Sequence, residues 1–259
     1  MAGTVLCARD GAIATITLSN PGKLNAVDLA MWKGLASTLA LVSADNGIRC
    51  VILRGEGEEA FAAGGDLEEF LTQRDTVERA MAYHREVGAA LQSIADCRHP
   101  TIALIHGACI GGGLEIAGQC DLRICGQSSR FGAPINKLGF SMYPAEMAGL
   151  LRLAGAPTLL EMLLEGRIFS AAEAFAKGLI TRIVADNAVL DEAQSTAQRI
   201  CAGAPLVAGW HKQWVRRLEN SKPLADEELR ASFAFLDTDD YREGLAAFLQ
   251  KRKPEFHGR

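Results

Sequence analysis

The sequence predicts an α/β fold followed by a helical C-terminal region. Three observations predict it. Apolar, strand-like segments alternate with helix-period segments through the first half of the chain. Two glycine-rich turns each feed a helix. From Ala188 onward only helical patterns occur, ending in a basic, polar tail.

Taken in order, Thr4–Leu18 alternates apolar and polar residues around Asp10-Gly11, a β-hairpin signal. Asn20-Pro21-Gly22 is a turn. Asp28 can cap a helix reaching about Ser43, with Leu29, Trp32, Leu35 and Leu39 on one face. Cys50–Leu53 reads as a short buried strand and Gly55–Glu59 as a polar turn. Phe61–Asp66 reads as a glycine-bearing loop before a helix. A further helix is expected over about Val77–Ala95. Pro100–His106 is a strongly apolar strand, Gly107–Gly113 a turn, Leu114–Gln119 a helix and Asp121–Cys125 a strand. Beyond Pro144 the chain turns mostly helical, with one more strand, Leu179–Val184, after Gly178. A boundary near Gly203-Ala204-Pro205 divides an α/β core, residues 1–203, from a helical part, residues 204–259.

Composition sets the limits. Of 259 residues, 49% are hydrophobic and 22% charged, a balance able to bury a full core. The net charge of -4, without a long basic block, argues against nucleic acid or an anionic membrane as the main partner. Apolar runs stop short of the ~20 residues a membrane span needs. The N-terminus lacks the basic-then-apolar layout of a signal peptide. Seven cysteines, an odd and scattered number, are expected to be reduced thiols of a cytoplasmic protein. No Cys/His spacing suggests zinc, so no metal is expected.

The sharpest local feature is the pair of turns Ala62-Ala63-Gly64-Gly65-Asp66-Leu67 and Gly107-Ala108-Cys109-Ile110-Gly111-Gly112-Gly113-Leu114-Glu115. Glycine lets backbone approach a ligand closely, and a helix start leaves N–H groups unpaired. Two such N–H groups converging on one point would form an oxyanion hole. Strand-to-helix glycine turns are also common scaffolding in α/β proteins, and spacing alone does not separate the two readings. A dinucleotide-binding turn fits worse, because G-x-G-x-x-G is absent.

At these residues the chain resembles the crotonase superfamily, the enoyl-CoA hydratase/isomerase family. The resemblance runs nearly full length. It takes in Asn20–Ala26 (NPGKLNA), Phe61–Leu67, Gly107–Asp121, Phe131–Gly139, Leu151–Gly155, Arg242-Glu243-Gly244 and Phe248–Phe256. It implies a spiral of β-β-α units whose C-terminal helices trimerise, giving a homotrimer or a hexamer built as a dimer of trimers. It implies an acyl-CoA thioester substrate and no cofactor beyond that coenzyme A. It assigns the oxyanion hole to the backbone N–H groups of Gly65 and Gly112. It further implies that Lys23, Leu24, Ala63 and Leu67 line the coenzyme A site, Ala63 through its backbone. Lys251 in the tail is a candidate phosphate contact, across a subunit boundary or within the chain. Solvated surface charge is the plain alternative for both lysines.

A hydratase also needs a positioned acid or base. Glu115 lies three residues after Gly112, about 4.5 Å along a helix, and the resemblance puts it at one of two catalytic glutamates. Read locally, it is first of all an ordinary first-turn acid favoured by the helix dipole, and it is the resemblance that reverses this reading. The second glutamate of the pattern, directly after Pro134, is here Ile135, which cannot exchange a proton. Two nearby groups could take its place: Tyr143, at a position that other branches of the family fill with Asp, Glu or Tyr, and Glu146 three residues later, which reads otherwise as the N-terminal acid of a helix. Asp66, Glu68 and Glu69 read as cap and first-turn acids. His106 reads as a core histidine, His84, His99 and His211 lack partners at a useful spacing, and Cys109 reads as packing.

The leading reading is a hydratase/isomerase-type enzyme using Glu115. Ile135 together with Tyr143 keeps open a decarboxylase or another enolate-forming acyl-CoA reaction. A non-catalytic coenzyme A- or RNA-binding protein on the same fold is the third reading.

Overall fold

A computed structural model of the chain describes residues 2–259. The N-terminal hairpin forms where expected: β1 (Thr4–Asp10) pairs antiparallel with β2 (Ile13–Ser19), and Gly11 turns at φ +56°. Next come α1 (Leu29–Ala44), β3 (Cys50–Gly55) and β4 (Ala60–Ala62). They are followed by α2 (Leu67–Gln73), α3 (Val77–Asp96), β5 (Thr101–Ile105), β6 (Ala108–Ile110) and α4 (Gly112–Gln119). Then β7 (Leu122–Gly126), β8 (Arg130–Gly132), a 3₁₀ turn at Ile135–Leu138 and α5 (Pro144–Glu165) lead to β9 (Ile168–Ser170). The chain ends through α6 (Ala171–Ala176), β10 (Arg182–Val184), α7 (Val189–Cys201), α8 (Pro205–Leu218), α9 (Asp226–Ala231) and α10 (Asp239–Leu249).

The strands form two sheets. One has order β1-β2-β3-β5-β7-β10, parallel from β2 onward; the other has order β4-β6-β8-β9. Each repeat of the chain gives one strand to each sheet and then a helix: β3 and β4, β5 and β6, β7 and β8. This is the β-β-α arrangement expected of the spiral.

Strand alternation explains the packing. In β3 and β5, Val51, Leu53, Ala103 and Ile105 face the main core with Trp32, Leu35, Val87 and Leu91 of α1 and α3. Their neighbours Cys50, Ile52, Ile102 and Leu104 face the opposite side, against Val189, Ala193 and Ala197 of α7. A strand buried on both faces must read as a continuous apolar run, as β5 does.

Four expectations need correction. Phe61–Asp66 is not all loop, because β4 takes in Phe61 and Ala62. Gly107–Gly113 is not a plain turn, because it contains β6. Gly107 sits at φ +56° so close to β4 that a Cβ there would lie 1.8 Å from the Glu59 carbonyl oxygen. The second sheet's β8 and β9 went unread. The strand expected over Leu179–Val184 is confined to Arg182–Val184.

Helix α5 is long and apolar enough to cross a membrane, beyond what the runs in the sequence suggested. It kinks at Gly155 (φ +75°), two residues before Pro157. Gly118 of α4 packs beneath Leu150, and Gly149 faces Gln119, so one face of α5 lies on α4 while Leu151, Leu160 and Leu164 stand exposed on the other. Between α7 and α8 the chain turns at residues 202–204.

Candidate active site

The two glycine turns meet. A Cβ on Gly111 would lie 3.5 Å from Gly64 Cα, and one on Gly112 would lie 3.7 Å from the Gly64 carbonyl carbon. Both turns use backbone that side chains resist: Gly64 has φ +120°, and Gly111 has φ +48° with ψ -118°. Gly113 approaches Ala62 so closely that a Cβ would lie 2.4 Å from its carbonyl oxygen.

The N–H groups follow from this geometry. Val27 N–H donates to the Gly64 carbonyl (2.8 Å) and Asp66 N–H to the Val27 carbonyl (3.0 Å), so the Gly65 N–H stands outside the ladder. Gly112 is the first residue of α4, where an N–H has no intrahelical acceptor. Gly65 and Gly112 line one cavity of about 170 Å³.

Asp66 holds the first turn in place. Its carboxylate accepts from Glu68 N–H at the start of α2 and from Lys23 Nζ at 2.7 Å. Lys23 also donates to Glu68, and its ammonium pKa is raised, first by the Asp66 hydrogen bond and then by that of Glu68. Glu69 accepts from Leu29 N–H, tying α2 to α1. Asn25, at φ +57°, donates to the Ala60 and Glu56 carbonyls and anchors the NPGKLNA loop to β4.

The residues expected at the site fall into three groups. Gly65, Gly112, Glu115, Ala63, Leu67 and Ile135 all line the cavity. The Ala63 N–H donates to the Leu24 carbonyl, tying the first glycine turn to the NPGKLNA loop. Lys23 and Leu24 stand beside this wall, and Leu24 borders a separate groove with Asn20 and Gly22. Lys251 lies after α10, exposed, and does not border the cavity of its own chain. Tyr143 does not border it either; its ring stacks on His84 at 4.6 Å between centroids.

Two neighbours of Tyr143 do reach the cavity. Glu146, one turn into α5, and His84, on α3, both line it, and His84 Nδ1 is hydrogen-bonded to a Glu146 carboxylate oxygen. Both are buried. Glu115 lies in the same cavity, on a helix buried along its whole length. Its carboxyl pKa is pushed well above the ordinary value, first by burial and then by the Glu146 charge, with Arg74 opposing. The cavity therefore offers a carboxyl that holds its proton more tightly than an ordinary glutamate, beside a carboxyl bonded to an imidazole.

Sequence reasoning missed His84 as a partner, because Glu146 is 62 residues away. A usable signal existed: His84 shares the apolar face of α3 with Val87, Leu91 and Ile94. Arg74 and Phe70 of the α2 region were also missed. The Arg74 guanidinium lies 4.0 Å from the centre of the Phe70 ring and 4.9 Å from that of Phe140. Trp32 and Tyr83 complete the wall, and their buried Nε1 and Oη atoms have no protein partner among the described residues. Other groups stand apart: His106 is buried at a strand end with its pKa lowered by desolvation, and burial pushes the Cys109 thiol up, as an inert packing group requires.

The arrangement matches known proteins throughout. The family model described as enoyl-CoA hydratase/isomerase matches residues 8–259. A protein of Rhizobium meliloti named a probable enoyl-CoA hydratase is 34% identical over 259 residues, covering 99% of this chain and 98% of that protein. A crystal structure from Magnetospirillum magneticum, described as an enoyl-CoA hydratase/carnithine racemase, superposes with TM-score 0.97 at 49% identity, covering 99% and 96% of the two chains. A structure from Hyphomonas neptunium, described as an enoyl-CoA hydratase/isomerase family protein, gives TM-score 0.91 at 32% identity, covering 98% of each chain. With its fold and its paired glycine turns, the chain belongs to the enoyl-CoA hydratase/isomerase family of the crotonase superfamily, and it is an enzyme of that type.

Proposed function

We propose that the chain adds water reversibly to a 2-enoyl-CoA thioester. Gly65 and Gly112 N–H groups hold the thioester oxygen, Glu146 takes a proton from the attacking water, and Glu115 delivers one to C2. The water oxygen bonds to C3, the displaced π-electrons pass to the thioester as an enolate, and protonation at C2 collapses it. The net change is one water, with no oxidant or metal required. One observation carries this reading: the carboxyls of Glu115 and Glu146 line the same cavity as both glycine turns. Moving a double bond needs only one proton-carrying group, whereas hydration uses an acid and a base together. The neutral state favoured for Glu115 suits the acid, and the His84 bond orients Glu146 as the base.

The test is incubation with crotonyl-CoA and mass spectrometry of the thioester. Addition of one water is expected, insensitive to chelator. Glu115→Gln and Glu146→Gln should each lower kcat by about a thousandfold, within the range of general acid–base contributions. Wild-type turnover in Glu146→Gln would leave a one-carboxyl reaction and reject the pairing. Loss of carbon dioxide from malonyl-type thioesters, in place of hydration, would reject it as well.

The coenzyme A part of the proposal rests on Ala63 and Leu67 at the cavity wall. A phosphate reaching Lys23 would share it with Asp66 and Glu68. The proposed assembly is a homotrimer or a dimer of trimers. Exposed Val215, Leu218, Phe233, Leu236, Phe248 and Leu249 on the C-terminal helices support it, since a monomer rarely leaves so many apolar side chains to water. Light scattering should give three or six times the 27.7 kDa chain mass, and a monomer would overturn it. A reducing, cytoplasmic setting also belongs to the proposal, supported by five buried, unpaired thiols.

A further inference from the structure

Arg74 differs from arginines that are tied up in surface ion pairs. Arg79 pairs with Asp75, Arg152 with Glu219 and Arg167 with Glu161 and Glu173, each at the surface. Arg74 lines the cavity, is half-buried, and has no ion pair or side-chain hydrogen bond among the described residues. Its position is built rather than incidental. The guanidinium lies against Phe70 and Phe140, with Tyr83 at 5.9 Å, and these rings pack edge to face on one another. Contact with the two rings restrains the guanidinium and leaves N–H groups for a ligand. Phe140 precedes the helix that carries Glu146, and Glu115 feels the Arg74 charge, so the cation stands on the proton-transfer side of the cavity.

We infer that Arg74 selects acyl-CoA thioesters whose acyl chain carries its own carboxylate, held by guanidinium N–H groups while the Phe70 and Phe140 rings restrain the cation. The inference rests on the acyl-CoA reading above and adds the substrate class. A planar, five-donor cation without a carboxylate partner matches a carboxylate through two parallel hydrogen bonds. A trimethylammonium-ended acyl chain, the other charged group that aromatic walls recognise, is disfavoured, because Arg74 already occupies the faces such a cation would need. A plain alkyl chain would desolvate the guanidinium and return no hydrogen bond.

Saturated thioesters test this without turnover. Dissociation constants for glutaryl-CoA, pentanoyl-CoA and 4-(trimethylammonio)butanoyl-CoA share the coenzyme A contribution and differ only at the acyl end. Calorimetry on the wild-type protein should show glutaryl-CoA about tenfold tighter than pentanoyl-CoA, with the ammonium thioester weakest. In Arg74→Gln the glutaryl preference should fall to within about twofold, and Arg74→Lys should keep part of it. Equal affinity in the wild type, or a preference that survives Arg74→Gln, overturns the inference. Turnover of the matching enoyl thioesters separates the two readings. A glutaryl preference without hydration of glutaconyl-CoA sinks the hydratase and leaves the charge selection standing. Hydration without charge preference sinks the selection alone.

Discussion

Burial and the Glu146 charge push the Glu115 carboxyl pKa well above its ordinary value. Helix α4 is buried along its length, and Glu146 lies in the same cavity, so ionising Glu115 puts a second negative charge into a space short of water. The native state therefore binds a proton that the unfolded chain releases near the ordinary glutamate pKa of about 4.3. Stability from this group is full below that pH and falls as pH rises toward the elevated native value. Glu115→Gln has no proton to lose. We expect it to be more stable than wild type by about 1 kcal/mol at about pH 8, a typical gain for relieving a functional site, with the advantage shrinking toward about pH 5. Urea melts across that range check it, and a constant difference would refute it. Glu115 was legible because Gly112 and Glu115 lie one helical turn apart. Glu146 was a candidate from its place three residues after Tyr143, but its bond to His84 was not legible, because the two meet only after α3 and α5 pack and no local spacing records that.

At the scale of elements, the site is made where two strand-to-helix turns touch. Gly111 is the tighter constraint: φ +48° with ψ -118° lies outside the regions open to a residue with a Cβ. Gly111 N–H also donates to the Gly132 carbonyl, pinning α4 to β8. Gly111→Ala should cost about 1–3 kcal/mol in strain. By tilting the Gly112 N–H it should lower kcat about a hundredfold or more, the scale of losing one oxyanion donor. Unchanged kcat with intact folding would show that Gly111 only shapes the backbone. The turns were readable because glycine clustering survives in a linear sequence. The second sheet was not, since β8 and β9 have three residues each, too short for a period of two to register. Residue Ile135 shows the opposite case: the sequence located the missing glutamate and offered Tyr143 and Glu146 in its place, and the packed helices put Glu146, not Tyr143, at the cavity wall.

At the scale of the whole molecule, the question is how firmly residues 204–259 belong to the α/β core. The sequence expects a division there, yet α8 reaches into the core. Lys212, with a side chain only 7% exposed, pairs with Asp121 at 2.9 Å, and Arg216 reaches the other oxygen of the same carboxylate. Asp121 also accepts from the N–H and hydroxyl of Thr101 at the start of β5. One carboxylate thus joins α8 to the central strand. Asp121→Ala leaves a buried ammonium unpaired and two donors on Thr101 unanswered, so a loss of about 3 kcal/mol is expected. Adding Lys212→Met should restore a large part of it, because the uncompensated charge is then gone. Hydrogen exchange decides what the loss means. If the helical part folds with the core, protection in α8 and β5 falls together, which is the outcome this shared carboxylate leads us to expect. Early exchange in α8 alone, with β5 still protected, would make residues 204–259 a separable unit.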